Sequence, residues 1–508
     1  MRKVSLLIVS LCVALTSLAL VPPRDPSLWA EWQAQVSAQA NAGRLDQAGS
    51  LRYAPTATQA VGQRVIIPRI LVITVNFTDA QIISSQADVD SMFNAYNWTK
   101  DDAKGSIRQY FYDQSFGAYN PQFDVVGPIT LSYGYAYYGQ GENVSSRAGY
   151  MVTEACALVD DEVDFTLYDS NNDGYIDLVY ILYAGFGEND PPEFISVASD
   201  LLWPAYWSVN GAGCGTNRRV FDGKTLNAFE YSNELDGLFS TAETSVVAGI
   251  GVACHEFGHA LGLPDLYATV SASHKLLGSW DVMCYGPYND YMHSPPSYSA
   301  YERFYMGWLT PTLITDPANL QLEHIATSNQ AYMICESDTH NMNGLNPNPA
   351  VFYLLENRQQ EGWDRDVPGP GLLLTRINYQ SSKWTGNTVN NDPNKMGVDI
   401  IEADGLTPST NTADGYFGKP GDVFPAGATE YMGIADHPIE QITMDNGVIR
   451  FVYRGGVDTT SMDSIPTALP LTNQSVQACK TIQDGQVLLH TPYGTYNLLG
   501  LKQEQQNY

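Results

Sequence analysis

Positive charge is scarce in this chain: 26 Lys and Arg stand against 55 Asp and Glu, a formal net charge of −29 at pH 7. A surface of that sign repels nucleic acid and anionic lipid, so neither is expected as a partner, and it is rich in oxygen ligands suited to calcium. Long apolar runs are also missing after residue 20, which leaves no later segment able to span a bilayer. Cys–x–x–Cys pairs, internal repeats and coiled-coil heptads are absent as well. What remains is a chain that is 44% hydrophobic and 11% aromatic with 43 Gly and 28 Pro, the composition of a folded, strand-rich, turn-rich protein long enough for two or three domains.

The one long apolar run lies at the start. Arg2 and Lys3 precede the stretch Val4 to Leu20, and Ser17 and Ala19 are small residues suited to cleavage, so residues 1–19 read as a secretory signal peptide. Cys12 would leave with it. The six others, Cys156, Cys214, Cys254, Cys284, Cys335 and Cys479, allow up to three disulfides in an exported chain. Cys254 and Cys284 could pair with each other or stay buried thiols.

The chemistry is concentrated in His255-Glu256-Phe257-Gly258-His259-Ala260-Leu261-Gly262-Leu263-Pro264-Asp265. Two histidines four residues apart share one helix face, so both imidazoles can meet one zinc ion. Glu256 is offset from that row and can act on a water as general base. The pattern HExxHxxGxxD resembles the metzincin metalloproteases. The fuller string, with Gly278-Ser279-Trp280-Asp281-Val282-Met283 after it, is similar to the immune inhibitor A family of secreted metalloproteases. That resemblance implies that Gly262 lets the chain double back and that Asp265 is the third zinc ligand, where most of the clan has histidine. His274, His293 and Glu302 are rivals for that place. The resemblance also implies that Met283 packs beneath the imidazoles and that Tyr285 can donate to the oxyanion.

Taken in order, residues 20–64 are Ala- and Gln-rich and stand where a secreted protease carries its propeptide, a mere linker being the alternative; in a propeptide Asp25, Glu31 or Asp46 could occupy the open metal position. Val65–Phe77 reads as a buried strand and Gly105–Phe111 as a helix of the core. The loop from Asp169 to Asp177 puts Asp169, Asn171, Asp173, the Tyr175 carbonyl and Asp177 at the alternate positions of an EF-hand loop. Tyr180 stands where the bidentate glutamate belongs, so calcium there needs a further ligand; the plain alternative is an Asx-rich turn between strands. Leu178–Gly185 reads as a central strand and Val246–Leu261 as a buried helix; the resemblance to metzincins implies an edge strand for pairing with extended substrate just before that helix, for which Thr225–Tyr231 is the candidate by position.

The expected fold is α+β: a metzincin-like zinc protease domain at 65–310, a twisted mixed sheet with its active-site helix, followed by a β-rich C-terminal domain at 311–455. Segments such as Ala350–Arg358 and Gly371–Ile377 carry the strand signal there, and ENRQQEGWDRDVPGPGLL is similar to the segment after the catalytic domain in the same family. Residues 456–508 end in short hairpin patterns and resemble small secretion or surface-sorting modules of exported bacterial proteins. The expected function is a secreted or cell-surface bacterial zinc endopeptidase that hydrolyses peptide bonds of extracellular proteins through a zinc-activated water. The alternative is a surface adhesin or carbohydrate-binding protein with a structural or vestigial zinc site.

Overall fold

The β-branched run predicted to be a buried strand is an interior strand of a mixed sheet. The computed structural model describes residues 19–25, 64–139, 144–209, 219–269, 274, 276–406, 417–457, 479–483, 486–491 and 494–497. Most of the expected signal peptide, and Glu31, Asp46 and Cys214, lie outside them. Strand β1 is Ala19–Leu20, β2 Arg69–Asn76, β3 Gln122–Thr130, β4 Tyr175–Ile176, β5 Val179–Phe186, β6 Ala205–Ser208, β7 Val220–Phe221, β8 Lys224–Leu226, β9 Ala228–Asp236 and β10 Val246–Val247. The main sheet runs β1-β6-β9-β5-β2-β3, with β10 beside the end of β9. β9, β5, β2 and β3 are parallel to one another, whereas β6 and β1 are antiparallel to their neighbours. Parallel strands covered on both faces need near-continuous apolar sequence. Ile70, Leu71, Val72 and Ile73 of β2 and Val179 and Ile181 of β5 are accordingly fully buried.

Helices α1 (Gln86–Asn94), α2 (Ile107–Gln114), α3 (Tyr135–Gly139) and α4 (Val144–Val159) cover the sheet, and α5 (Gly251–Ala260) lies against β9 and β6. The Ser106 hydroxyl accepts the Gln109 amide at 3.1 Å and starts α2. From that helix Phe111 meets Phe257 of α5 with ring centroids 4.8 Å apart. All ten residues of α5 are buried. Two sequence readings are corrected at this point. The apolar run from Val246 is not one helix, because Val246 and Val247 pair with β9 and the helix begins only at Gly251. Thr225–Tyr231 is not an edge strand either: it is divided between β8 and the interior strand β9, and the strand outside β9 is β6.

Beyond α6 (Ala300–Met306) come β11 (Thr312–Leu313), β12 (Ala318–Leu322), β13 (Tyr332–Ile334), β14 (Val351–Arg358), β15 (Gly371–Asn378), β16 (Val398–Ile400), β17 (Ile439–Asp445) and β18 (Val448–Tyr453). They form a five-stranded sheet, β11-β13-β14-β15-β16, and a three-stranded one, β12-β18-β17. The packing is continuous across residue 310, since Phe304, Phe352 and Leu354 share one apolar core with β2 and α5. The chain divides instead at Gly456, and the unit beginning at Val457 contains β19 (Cys479–Gln483), β20 (Gln486–Thr491) and β21 (Gly494–Asn497) as an antiparallel sheet. Cys156, Cys254, Cys284 and Cys335 are buried free thiols, so Cys254 and Cys284 do not pair. Among the described residues no helix is long and apolar enough to cross a membrane.

Candidate metal centre

Helix α5 presents both imidazoles to one point. His255 Nε2 and His259 Nε2 are 3.2 Å apart, and Asp265 Oδ1 lies 3.3 Å from the first and 3.2 Å from the second. A tetrahedral zinc with bonds of about 2.0–2.1 Å places its ligand atoms roughly 3.3 Å apart, so the three donors already form one face of such a tetrahedron. The other ring nitrogens are committed: His255 Nδ1 donates to the Val282 carbonyl and His259 Nδ1 to the Leu263 carbonyl, each at 2.8 Å. That choice of tautomer leaves both Nε2 lone pairs for a metal. Protons on the two imidazoles hold the fully buried Asp265 carboxyl down to about 2, and a metal ion at the centre would take their place. The residues present fit a zinc ion.

The turn after α5 is what brings Asp265 back. Gly262 has φ +98°, a left-handed conformation in which a β-carbon would be strained, and the Leu263 amide returns to the Gly258 carbonyl at 3.0 Å. Met283 lies beneath the helix, with its sulfur 2.7 Å from where a β-carbon on Gly258 would be, which explains the glycine inside HEFGH. The turn carrying it is fixed by the Asp281 side chain, which accepts the Met283 amide at 2.7 Å, and is tied to the ligand loop by the Leu266 amide on the Met283 carbonyl. Tyr285, on the same turn, is buried, its ring 5.6 Å from that of Phe417. His274 faces the Asn390 carbonyl, and Glu302 closes a capping box with Ser299. Neither is part of the triangle.

Glu256 lies close to the imidazoles, its ligand atom within 4.8 Å of theirs, but it is held aside by two amides. The Tyr206 N–H of β6 donates to one oxygen at 2.7 Å and the Val21 N–H to the other at 3.0 Å. Burial pushes its carboxyl up to about 8. Asp265 therefore completes the triangle, and Glu256 is left facing the space beside it.

Several site residues gave no signal in the sequence. Asn387 binds Asp265 twice: its Nδ2 donates to Asp265 Oδ2 at 2.5 Å and its Oδ1 accepts the Asp265 amide at 2.7 Å. Asn390 Nδ2 donates to the Leu266 carbonyl and Asn391 Oδ1 accepts the Thr269 amide, each at 2.8 Å. Tyr267 lies over His255 with ring centroids 6.4 Å apart and bonds to Asp265. Residues 19–22 line the cleft: β1 pairs antiparallel with β6, the Val21 side chain is buried, Trp203 Nε1 donates to the Val21 carbonyl at 2.9 Å, and the Tyr288 hydroxyl donates to the Pro22 carbonyl. Asp25, one of the three carboxylates expected to approach the metal, is exposed.

In the loop at 169–177 the oxygens are turned onto the backbone. Asp169 accepts the Asp173 and Gly174 amides, Asp173 the Tyr175 amide, and Asp177 the Ser170 amide. The Lys224 ammonium meets Asp169 at 2.6 Å. The loop thus already holds a cation of its own.

A family model described as the catalytic domain of immune inhibitor A peptidase M6 matches residues 83–308. Immune inhibitor A of Bacillus thuringiensis subsp. alesti is 30% identical over 206 residues, covering 36% of this chain and 28% of that protein. Pre-pro-metalloprotease PrtV of Vibrio cholerae serotype O1 (strain M66-2) is 27% identical over 200 residues, covering 36% of this chain and 21% of that protein. The match spans less than a third of the length of either relative. The matched range includes both histidines, Glu256, Asp265 and Met283, and over it the chain is similar to the catalytic domain of immune inhibitor A peptidase M6.

Proposed function

We propose that this chain is a zinc-dependent endopeptidase, exported by a bacterium, that cleaves extracellular proteins. The observation that carries the reading is the triangle of His255, His259 and Asp265 with a buried carboxylate beside it that is not one of its corners. A zinc ion held there would supply a Lewis acid for the scissile carbonyl and bring the pKa of a water toward neutrality. Glu256 takes the proton of that water and passes one to the leaving amine. The 3.0 Å contact from the Val21 amide supports this, because a peptide nitrogen already lies within proton-transfer reach of the carboxylate. Asp265 adds negative charge where a third histidine would add none, so the water should be slightly less acid than in a three-histidine site. Tyr285, on the turn that carries Met283, is the phenol we assign to the developing oxyanion.

The finer fold reading belongs to the same proposal. Residues 65–310 act as a metzincin-like catalytic region, supported by Met283 under Gly258, and 311–455 as a β-rich partner packed against it, supported by the sheets of β11 to β18. Residues 20–64 act as a propeptide, supported by Val21 in the cleft. Calcium at the 169–177 loop would have to displace Lys224 from Asp169.

Chelation should abolish hydrolysis of casein by the processed protein, and zinc should restore it. Casein hydrolysis that persists after complete removal of metal would sink the reading. Asn387→Ala should weaken zinc binding by roughly 10–100-fold, the usual effect of losing a group that orients a ligand, as measured by competition with a chelating dye. Unchanged affinity would mean that Asp265 needs no help to face the metal.

A further inference from the structure

The strand β1 and the residues after it lie in the cleft as a substrate would. β1 adds antiparallel to β6, the strand next to the active-site helix, and the chain then passes Glu256 at Val21 and continues to Arg24. Backbone pairing of this kind positions an extended peptide without reading its sequence, so selection has to come from the side-chain pockets. One pocket is built for charge. Arg24 Nη1 donates to Asp190 Oδ2 and to Asp236 Oδ2, each at 2.8 Å, and the guanidinium lies over Phe239 and Tyr288 at 5.4 and 6.0 Å from their ring centroids. The two carboxylates are almost completely buried, their side chains 6% and 2% exposed.

These acids are held by the protein's own backbone. The Gly237 amide donates to Asp190 Oδ2 and the Phe239 amide to Asp236 Oδ1, both at 2.9 Å. Gly237 is needed for that approach, since a β-carbon there would fall 1.7 Å from the Asp190 carbonyl. The Arg24 amide is itself fixed on the Asn189 carbonyl at 2.9 Å. Two buried carboxylates that share one cation become costly when the cation leaves, and an Arg or Lys side chain with an aromatic wall to stack on restores the balance.

We propose that Asp190 and Asp236 form a specificity subsite for Arg or Lys, three residues C-terminal to the residue whose amide meets Glu256, and that Arg24 fills it as a stand-in for substrate. The proposal rests on the peptidase reading and on departure of the 19–25 segment before catalysis. Its first test needs no catalysis: amide hydrogen exchange of residues 19–25 in the full chain, compared with Arg24→Lys, Arg24→Gln and the double variant Asp190→Asn/Asp236→Asn. Val21 exchange should rise tenfold or more in Arg24→Gln and in the double variant and stay near the wild-type rate in Arg24→Lys. Equal exchange in wild type and Arg24→Gln would overturn the pocket. The second test maps casein cuts made by the zinc-loaded protein after processing has removed residues 19–25 from the cleft. A basic residue should be enriched severalfold at the fourth position after the cut, and the enrichment should vanish when Asp190→Asn/Asp236→Asn is added. Cuts without that enrichment would refute the subsite, whereas no cuts by any zinc-loaded chain would refute the peptidase reading and leave the exchange result to decide the pocket.

Discussion

Replacing Glu256 by Gln should lower kcat/KM for casein by about 10²–10⁴-fold, the usual contribution of a positioned general base, while zinc content stays at the wild-type level. The two halves of that expectation come from different parts of the geometry. The metal corners are His255, His259 and Asp265, 3.2–3.3 Å apart, and Glu256 is not one of them, so the ion should remain. Its oxygens face the Tyr206 and Val21 amides across the cleft, where a proton would be moved, so the rate should fall. The amide of Gln can accept only one of these two N–H groups, and the variant should therefore be assayed after the N-terminal segment has been removed from the cleft by processing. Hydrolysis within threefold of wild type would show that Glu256 is not the base. Zinc lost together with activity would instead make Glu256 a ligand. A structural or vestigial zinc site would show no hydrolysis to lose.

How much of this could be read from the chain depended on distance along it. The His255–His259 pair was legible because a helix converts a spacing of four into one face, and β2 and β5 were legible because buried parallel strands require continuous apolar sequence. Asp265 became visible only through Gly262, whose left-handed φ turns a six-residue offset from His259 into a 3.2 Å contact. Asn387 lies 122 residues from the ligand it orients, in a Gly-Asn-Thr-Val-Asn-Asn run that reads as an ordinary turn. No local pattern reports such a contact. The edge strand was misplaced for a related reason: Ala205-Tyr206-Trp207-Ser208 is too short to show alternation, whereas Thr225–Tyr231 shows strand character because it contributes to β8 and to the interior strand β9. The acids of the 169–177 loop carry two readings at once. Their spacing suggests calcium, but the same oxygens can accept backbone amides and Lys224, which composition alone does not reveal.

Arg358→Ala should destabilise the protein by roughly 3–5 kcal/mol, the cost of removing one partner from a buried charge cluster. Arg358 ends β14, in the Glu-Asn-Arg sequence that composition marks only as a strand end, and it is fully buried. Its Nη1 meets Glu356 at 3.0 Å and its Nη2 meets Asp364 at 3.2 Å. The same Nη2 donates to the carbonyls of Trp280 at 2.8 Å and Ser297 at 3.0 Å, on either side of the turn that carries Met283. Asp364 in turn accepts the Ser297 amide at 2.8 Å and lies 3.1 Å from His324 Nε2. Loss of the guanidinium strands two carboxylates in the core and frees both carbonyls, and a methyl group offers neither charge nor donor. Arg358→Lys should recover only part of the loss, because a single ammonium cannot reproduce the planar fork that spans Glu356, Asp364 and two carbonyls. Denaturant unfolding followed by tryptophan fluorescence measures this directly, as a lower midpoint at unchanged slope. A loss under 1 kcal/mol would mean that the methionine turn does not depend on the β-rich sheet. A loss of the expected size, accompanied by weaker zinc binding, would show that the sheet after residue 310 supports the metal centre through Arg358 as well as through Asn387.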